Sequence, residues 1–334
     1  MKILVTGGAG YIGSHFIKKA LNRYPTVELL ALDDLREGHE EAIKSMTSKT
    51  EASSLRLINC SLADYEGLSR LFSTETPDAV VHFAAHAYVG ESQQKPFKYF
   101  DNNVVGSLNL FKAMNENGVK KVIFSSSCTT YGNPEYVPID EKHPQKPINV
   151  YGATKMMIEQ ALKALSLSSG WSFVSLRYFN AAGADDEGMI GESHDPETHL
   201  IPLVLQTALG KRKQLSIFGD DYDTEDGTCI RDYVHVNDLA DAHCMALDKI
   251  LQESLAEVVN LGTSHGASVM EVIKTCEKIT GLPVAYEIAP RRAGDPARLV
   301  ADYSKAKELL GWEPKYNLEK VITTAWNWEK RRSY

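Results

Sequence analysis

Two hydrophobic periods alternate along the first half of the chain. Short runs rich in aliphatic and aromatic residues predict strands, and they fall at 3–5, 27–32, 55–59, 79–83, 121–125 and 172–177. Between them, apolar residues recur every three or four positions and predict amphipathic helices at 12–21, 65–73, 98–117 and 154–168. The polar, aperiodic segment 36–54 predicts a loop with at most a short helix. Strands that alternate with helices in this way predict α/β architecture with a doubly wound parallel Rossmann sheet.

The strict alternation ends near residue 180. A polar stretch at 185–198 precedes a predicted helix at 200–209, a strand at 215–218 and an acidic loop at 220–226, and a further strand and helix follow at 258–261 and 268–279. Asp238 is expected to cap a helix that ends near residue 251. We therefore predict two domains, a Rossmann domain at 1–180 and a smaller α/β C-terminal substrate domain at 181–334, with some later segments packing back on the first.

A glycine-rich segment follows the first predicted strand. Gly7, Gly10 and Gly13 have the spacing of a dinucleotide-binding loop, in which glycines let the backbone approach a pyrophosphate and a helix N-terminus supplies N–H groups. A plain glycine-rich turn is the alternative. Asp33 and Asp34 end the second strand, 20 residues after Gly13, where an acidic side chain binds a ribose 2′-hydroxyl and repels a 2′-phosphate. The pair favours NAD over NADP, although either aspartate alone is equally typical of a turn.

The carboxyl ends of parallel strands meet at one edge of a sheet, where ligands bind. Besides the glycine loop and the aspartates, these ends hold Ser61 with Leu62, Phe83 to Ala85, Ser125 to Ser127, and Tyr178 to Asn180. The small side chains of Ala84 and Ala85 could leave room for a flat cofactor. Tight packing against neighbouring elements is the alternative interpretation. Among the serines, Ser127 is the candidate to bond a reacting substrate oxygen, unless it is an ordinary polar strand end.

Tyr151 and Lys155 open a predicted helix and lie four residues apart, so they share one face. A phenol with a pKa of about 10 is a poor base at neutral pH, and lowering that value to about 7 takes roughly 4 kcal/mol. A fixed ammonium supplies part of this stabilisation, and an oxidised nicotinamide ring supplies more. The pair is therefore a candidate base for an alcohol that loses hydride, with an exposed helical face as the alternative.

Composition excludes several classes of protein. The 334 residues have a net charge of −8, which argues against nucleic acid or an anionic membrane as a partner. The five cysteines are scattered, without a Cys-x-x-Cys pair, so we expect neither a disulfide scaffold nor a zinc site. We expect a cytoplasmic location. No signal peptide or membrane span is expected. The ten histidines lack a His-Glu-x-x-His pattern, and His82 and His86 straddle a strand end, so we expect no metal site.

A late loop holds Arg291 and Arg292. A guanidinium suits bidentate phosphate contact, so the loop is a candidate phosphate site, although ion pairing at the surface is the commoner use of a loop arginine.

Taken together, the motifs resemble those of the extended short-chain dehydrogenases/reductases, and most closely the UDP-glucose 4-epimerase family. The resemblance runs from residue 2 to about 328 and rests on the glycine loop, Ser127, the Tyr151–Lys155 pair and the segments 6–15, 82–84, 89–92, 101–103, 176–180, 226–228, 231–233 and 291–295.

The resemblance implies a catalytic group made of Tyr151 as base, Lys155 and Ser127. It also implies an NAD site formed by Gly7, Gly10, Tyr11, Ile12, Gly13, Asp33, Asp34, Leu35, Ser61, Leu62, Phe83, Ala84, Ala85, Ala87, Asn102, Tyr151, Lys155 and Phe179. A UDP-sugar is expected to contact Ser127, Tyr151, Asn180, His199, Leu200, Ser216, Ile217, Phe218, Arg231, Arg292 with the residues up to Asp295, and Leu299. The implied reaction inverts C4 of the sugar through a 4-keto intermediate, and the implied assembly is a homodimer formed through 98–117 and 154–168.

Three positions depart from the best-known bacterial form, and one of them, Leu299, bears on the choice of sugar. Ser61 replaces an Asp expected near adenine, Ala87 replaces a Lys near the diphosphate, and Leu299 replaces a Tyr that narrows the sugar pocket. The preferred UDP-sugar thus stays open among hexoses, N-acetylhexosamines, arabinose and glucuronate. A 4,6-dehydratase is disfavoured because Cys128 and Thr129 stand where that reaction needs Asp and Glu, and a non-catalytic NAD sensor is disfavoured because Tyr151 and Lys155 are both present.

Overall fold

The computed structural model describes residues 1–47, 54–292 and 295–334, which form two compact units. Unit 1 comprises Met1–Gly132, Gln145–Arg177 and Ala240–Val259, and unit 2 comprises Asn133–Pro144, Tyr178–Leu239 and Asn260–Tyr334. Both units are thus built from segments that are discontinuous in sequence. Residues 48–53 of the predicted loop, and Ala293 and Gly294 of the predicted phosphate loop, lie outside the described residues.

Unit 1 is a Rossmann unit. Its strands are β1 (Lys2–Thr6), β2 (Glu28–Asp33), β3 (Ser54–Asn59), β4 (Ala79–His82), β5 (Lys121–Ser127), β6 (Ser172–Tyr178) and β11 (Ala256–Leu261). Its helices are α1 (Tyr11–Arg23), α2 (Glu40–Thr47), α3 (Tyr65–Glu75), α4 (Val89–Gln94), α5 (Pro96–Tyr99), α6 (Gly106–Glu116), α7 (Val150–Ser169) and most of α9 (Val236–Gln252).

The seven strands form one sheet in the order β11-β6-β5-β4-β1-β2-β3. Parallel pairing aligns Leu4 of β1 with Leu30 of β2 and with Val80 of β4, and all three side chains are fully buried. Strands covered by helices on both faces need such continuous apolar runs. The prediction of a doubly wound parallel α/β fold is therefore confirmed, and the strand order reverses between β1 and β4, where such sheets bind ligands.

The core of unit 1 is continuous from the sheet to the helices. It joins side chains of the strands, such as Val80 and Phe124, to Leu110 of α6, Leu162 of α7 and Trp171. Most of the apolar positions that predicted these helices are buried in this core, whereas Leu108 and Met157 are exposed.

The predicted helix 98–117 is interrupted. After α5, residues Phe100–Val105 form a π-helical stretch, and only then does α6 begin. The interruption places the buried Asn103 amide so that it accepts from His86 N (2.9 Å) and donates to the oxygens of His86 (3.0 Å) and Thr154 (3.2 Å). A π-helical stretch of this kind often marks a functional site, and an apolar period alone does not predict it.

Unit 2 contains shorter elements. Its strands are β7 (Asn180–Ala182), β8 (Leu215–Phe218), β9 (Ile230–Arg231), β10 (Tyr233–His235), β12 (Ala267–Ser268), β13 (Tyr286–Ala289) and β14 (Arg298–Leu299), and its helices are α8 (Leu200–Ala208), α10 (Val269–Thr280), α11 (Ser304–Leu310) and α12 (Leu318–Arg331). The strands pair as β10-β7, β12-β9-β14 and β13-β8, and α8, α10 and α12 pack on one apolar core that includes Val204, Ile217 and Ile273.

Asp238 does not cap its helix, because α9 already begins at Val236. Its carboxylate instead accepts hydrogen bonds from the backbone N–H groups of Lys315 (3.0 Å) and Tyr316 (3.1 Å). The prediction of the cap was wrong because a distant segment of the chain supplies the donors.

Among the described residues, no helix combines the length and the apolar character that crossing a bilayer requires.

Candidate functional site

The glycine loop lies at the reversal point of the sheet. Gly7 adopts φ +68°, and a Cβ atom there would meet the backbone N of Ala84 at 2.7 Å. A Cβ on Gly13 would meet the carbonyl oxygen of Gly7 at 2.1 Å. Both positions therefore require glycine: the first turn of α1 closes directly over the loop, as pyrophosphate binding at a helix N-terminus demands.

Asp33 is fixed beside this loop. Its carboxylate accepts from the backbone N–H groups of Ala9 (3.0 Å) and Leu35 (2.9 Å), and Leu35 adopts the left-handed conformation with φ +58°. Burial raises the pKa of Asp33, while the two amide donors oppose that rise. Asp34 instead pairs with Arg36 (3.2 Å). The structure thus distinguishes two aspartates that the sequence left equivalent.

The remaining predicted cofactor residues of unit 1 occupy strand ends and helix starts. The Ser61 hydroxyl accepts from Ala63 N (3.3 Å), and Leu62 lies in the core. The ring of Phe83 packs against Phe16 and His243, at centroid distances of 5.7 and 4.6 Å. The other predicted positions in this group are Gly10 and Ile12 around the start of α1, Ala85 and Ala87 after β4, and Asn102 in the π-helical stretch. The Asn102 side chain donates to the Asn103 side chain (3.0 Å).

Tyr151 and Lys155 lie on the first turns of α7. The Asn149 side chain caps this helix by accepting from Gly152 N (2.7 Å), and Ser92 Oγ accepts from Tyr151 N (3.2 Å). Lys155 Nζ donates to the Ser125 carbonyl (2.7 Å) and lies 5.7 Å from the centre of the Tyr151 ring. The two side chains therefore share one face, and that face is buried rather than exposed.

Burial lowers the pKa of Lys155 to about 7, against the raising effect of the Glu159 charge. Glu159 follows Lys155 by one helical turn, but its carboxylate is bound by Arg177 (Nε, 2.9 Å), by Ser126 Oγ (2.5 Å) and by Gln145 (2.8 Å). Burial therefore disfavours the ammonium form of Lys155, and a phenolate at Tyr151 would favour it. Sequence reasoning missed this network, since Glu159 and Arg177 become neighbours only in the fold.

The three serines that end β5 divide their roles. The Ser125 carbonyl holds Lys155, and the Ser126 hydroxyl donates to Glu159. Ser127 Oγ accepts from Thr129 N (3.2 Å) and from Thr129 Oγ1 (2.9 Å). With two donors already on its oxygen, Ser127 is left with its own O–H to donate, as a group that bonds a substrate oxygen must.

His82, the last residue of β4, and His86, which follows the strand, serve the fold. His82 lies between Thr6 Oγ1 (2.6 Å) and Ser107 Oγ (2.8 Å), and burial, with a smaller effect from Lys155, lowers its pKa to about 3. His82 is therefore neutral. His86 Nδ1 contacts Glu37 (3.0 Å) instead, so the two histidines do not converge, in keeping with the sequence analysis.

Unit 2 brings several predicted substrate residues together. Leu299 of β14 pairs in register with Arg231 of β9, and the Arg231 guanidinium contacts Asp295 (3.2 Å) and the Pro296 carbonyl (2.9 Å). The Arg292 guanidinium lies 3.9 Å from the centre of the Phe218 ring. Two arginines, an aromatic ring and an apolar side chain suit a phosphate with a flat base or a sugar attached.

Other predicted residues of unit 2 are engaged elsewhere. Ser216 Oγ donates to Glu287 (3.2 Å). The side chain of Ile217 is buried in the core of unit 2, and Leu200 packs against the same core. The backbone N–H groups of Phe179 and Asn180 donate to the carbonyls of Leu261 (3.3 Å) and Asp232 (2.9 Å). These backbone bonds position both residues without using their side chains.

His199 belongs to a cluster that sequence reasoning missed. One potential ligand atom each of Glu192, His194, Glu197 and His199 lies within 4.8 Å of all the others. The His-Glu-x-x-His pattern places two histidines on one helix, whereas these four residues follow one another along a polar loop that leads into α8. The sequence feature that could have predicted this cluster is the alternation of glutamate and histidine over the eight residues from Glu192 to His199.

The comparisons with known proteins agree with this geometry. A family model described as GDP-mannose 4,6 dehydratase matches residues 4–325. The chain is 49% identical to a UDP-glucose 4-epimerase of Halalkalibacterium halodurans, over 100% of this chain and 97% of the relative.

Two solved structures superpose on it. The UDP-glucose 4-epimerase of Bifidobacterium longum, in complex with NAD+ and UDP, is 39% identical with a TM-score of 0.94, over 99% of both chains. The UDP-Glc/GlcNAc 4-epimerase of Campylobacter jejuni is 44% identical with a TM-score of 0.86, again over 99% of both chains. The chain therefore belongs to the family that the GDP-mannose 4,6 dehydratase model describes and, within it, to the UDP-glucose 4-epimerases of the extended short-chain dehydrogenases/reductases.

Proposed function

We propose that this chain interconverts UDP-glucose and UDP-galactose by inverting C4 of the sugar, with Tyr151 as the base. The observation that carries the proposal is the fixed Lys155 ammonium, which donates to the Ser125 carbonyl (2.7 Å) at 5.7 Å from the Tyr151 ring. A cation held there favours the phenolate. In unit 1 this pair accompanies a glycine loop and an acidic strand end, as an NAD-dependent enzyme of this family requires.

The residues present fit NAD. The backbone cradle at Gly7 and Gly13 has no room for a Cβ atom, and the Asp33 carboxylate is oriented at the end of β2. We propose that the first turn of α1 holds the pyrophosphate, Asp33 the adenine ribose, and Tyr151 with Lys155 the nicotinamide ribose. When bound, NAD supplies the hydride acceptor and donor that inversion at C4 requires.

The proton transfers fall to the chain. The Tyr151 phenolate accepts the proton of the 4-hydroxyl, and Ser127 donates its O–H to the same oxygen, because Thr129 already donates twice to Ser127 Oγ. The 4-keto sugar then turns over while UDP stays held, and Tyr151 returns the proton once the opposite face has been reduced. No net oxidation occurs.

UDP recognition is assigned to unit 2. Arg231 and Arg292 are the proposed diphosphate contacts, and Phe218 and Leu299 the apolar ones. Asn180, His199, Leu200 and Ser216 are proposed from the family resemblance. The diphosphate contacts must be stronger than those to the sugar, since the sugar has to rotate within the site.

Elimination of water, as in a 4,6-dehydratase, is disfavoured at this site. The two positions after Ser127 are Cys128, which is buried, and Thr129, whose hydroxyl is bound to Ser127. Neither is an acid or base suited to removing a C5 proton at neutral pH.

A homodimer and a cytoplasmic location stay predictions. Exposed apolar side chains support the first: Val105 and Leu108 are 48% and 46% exposed next to and within α6, and Met157 of α7 is 40% exposed. All five cysteines are free thiols, which supports a reducing compartment. Sedimentation of the wild type beside Leu108→Glu tests the dimer, because a charge at the proposed interface should shift the protein to the monomer.

The first experiment follows UDP-galactose with purified protein and no added NAD, with UDP-glucose as the readout. Conversion would support epimerisation with a retained cofactor. No conversion with or without NAD would overturn the proposed reaction.

A further inference from the structure

We infer that Glu192, His194, Glu197 and His199 form a structural binding site for one divalent transition-metal ion, with Zn²⁺ as the fitting ion. This site lies within unit 2. It shares only His199 with the residues proposed to contact the UDP-sugar, and its proposed role is structural rather than catalytic.

The spacing of the ligand atoms fits a single ion. The Nδ1 atom of His199 lies 2.8 Å from Glu192 Oε1 and 3.0 Å from Glu197 Oε1, and the Nδ1 atom of His194 lies 3.3 Å from Glu192 Oε1 and 3.6 Å from Glu197 Oε2. Tetrahedral Zn²⁺ with bonds of about 2.0–2.1 Å holds its ligand atoms roughly 3.3 Å apart. These four nitrogen–oxygen separations, which involve both oxygens of Glu197, lie on both sides of this value. One ligand atom of each residue lies within 4.8 Å of the others, so an entering ion must draw the side chains together by at most about 1.5 Å.

The Glu197 carboxylate is fixed in advance, because Glu197 Oε1 accepts from the backbone N–H groups of Thr198 (2.7 Å) and His199 (2.8 Å). The backbone of Glu192 is held as well, since its carbonyl accepts from Trp328 Nε1 (2.8 Å). Glu197 Oε2 is buried and accepts no hydrogen bond from any described residue, with His194 Nδ1 at 3.6 Å as its ion-pair neighbour. Bonds that orient a carboxylate, together with a buried acceptor oxygen, are what a metal site needs.

Charge and donor type indicate the class of ion. Two carboxylates balance one divalent cation, so the occupied site is neutral overall with both imidazoles uncharged. The side chains of Glu192 and Glu197 are only 7% and 5% exposed, which makes this neutrality important. Two imidazole nitrogens with two carboxylate oxygens suit Zn²⁺ and its first-row neighbours, whereas Mg²⁺ and Ca²⁺ prefer oxygen ligands alone.

The position of the cluster indicates a structural role. All four ligands lie within one eight-residue segment, and the last of them, His199, is the N-cap residue of α8. An ion there would fasten this segment to the start of the helix.

The test uses untagged full-length protein, since a polyhistidine tag would bind zinc itself. After treatment with EDTA and exchange into chelator-free buffer, the protein is equilibrated with micromolar Zn²⁺ and gel-filtered. Zinc per chain is then measured by mass spectrometry, and the thermal midpoint is measured with and without zinc. We expect one ion per chain and a midpoint raised by about 5 °C.

His194→Gln removes one ligand and should lower zinc affinity at least tenfold and abolish the rise in midpoint. The matched control is His265→Gln, because His265 is an exposed histidine of unit 2 whose Nδ1 contacts the Thr263 carbonyl (2.7 Å), and it should bind zinc as the wild type does. Wild-type zinc content well below one ion per chain, or equal content in His194→Gln, would overturn the inference.

A second measurement does not depend on the folding of any variant. Co²⁺ added to the wild type should give the intense visible absorption of a four-coordinate site, and Zn²⁺ should displace it. A weak, six-coordinate spectrum would contradict the proposed geometry.

Discussion

Lys155 in unit 1 and His194 in unit 2 are both cationic side chains placed in the interior, yet their pKa values move in opposite directions. Burial lowers the pKa of Lys155 to about 7. Burial also opposes the charge on His194, but the neighbouring carboxylates of Glu192 and Glu197 outweigh it and raise the pKa to about 9. Without a neighbouring anion the lysine is therefore poised to lose its charge, whereas the histidine keeps it. A Tyr151 phenolate would favour the ammonium form of Lys155, on which the proposed function depends.

The difference lies in what the nearest carboxylate is already bound to. Glu159 is one turn from Lys155, but Arg177 and Ser126 occupy its oxygens, so Lys155 Nζ has the Ser125 carbonyl instead. The carboxylates beside His194 have no arginine in contact among the described ion pairs. Burial alone thus does not determine the charge of a side chain. Its pKa also depends on whether the nearest carboxylate is already bound to another residue.

The largest expected effect on turnover tests the chemical side of this comparison. Tyr151→Phe removes the proposed base and should lower kcat by about 10³-fold, or about 4 kcal/mol, because no other group takes the proton. NAD content, measured by absorbance after denaturation, should be retained.

Tyr65→Phe is its control, since Tyr65 is a tyrosine of unit 1 whose hydroxyl bonds Glu116 on the surface. Its kcat should match that of the wild type. A Tyr151→Phe enzyme with near-normal turnover would remove Tyr151 from the role of base.

Lys155→Met tests the buried cation. Between pH 7 and 10.5 the unfolded lysine holds a proton that the folded one lacks, so Lys155 makes stability rise with pH in that window. In protein freed of NAD, the difference in unfolding free energy between wild type and variant should grow by several kcal/mol, up to about 5 kcal/mol, from pH 7 to 10.5. Denaturant titrations measure it, and a constant difference would show that the charge of Lys155 is not disfavoured by burial.

Contrasts of this kind mark the limit of the sequence analysis. The strands, the glycine loop and the Tyr151–Lys155 face follow from local periods and spacings, and the fold agrees with them. The bond from Lys155 to Ser125, the Glu159–Arg177 pair and the interruption at Phe100–Val105 depend on residues that only the sheet and its helices bring together. The histidine–glutamate cluster was missed although it is local, because its loop has no helical or strand period to fix where the side chains point.

His194→Gln tests the other half of the comparison in chelator-treated protein. The raised pKa of His194 means that its contribution to stability is complete below pH 6.5 and is lost as pH rises through about 9. We base the expectation on His194 because His199 is 44% exposed, so solvent screens its charge. The wild type should lose about 2 kcal/mol relative to the variant between pH 6.5 and 9, after allowance for partial exposure. A pH-independent difference, with His265→Gln as control, would contradict the paired charge.

The smallest expected effect concerns selectivity rather than charge. Leu299 lies beside Arg231 in the β9–β14 pairing, so a larger side chain there narrows the space next to a proposed diphosphate contact. Leu299→Tyr should therefore lower kcat/KM for UDP-N-acetylgalactosamine by about tenfold relative to UDP-galactose, or about 1.4 kcal/mol, because the added ring meets the N-acetyl group. Leu299→Met, which conserves volume, should leave the ratio of the two kcat/KM values unchanged. A Tyr variant that slows both substrates equally would place Leu299 outside the sugar pocket. If Leu299→Tyr changes the selectivity but leaves the pH profile of kcat unchanged, the substrate-binding role of unit 2 is separate from the proton chemistry of unit 1.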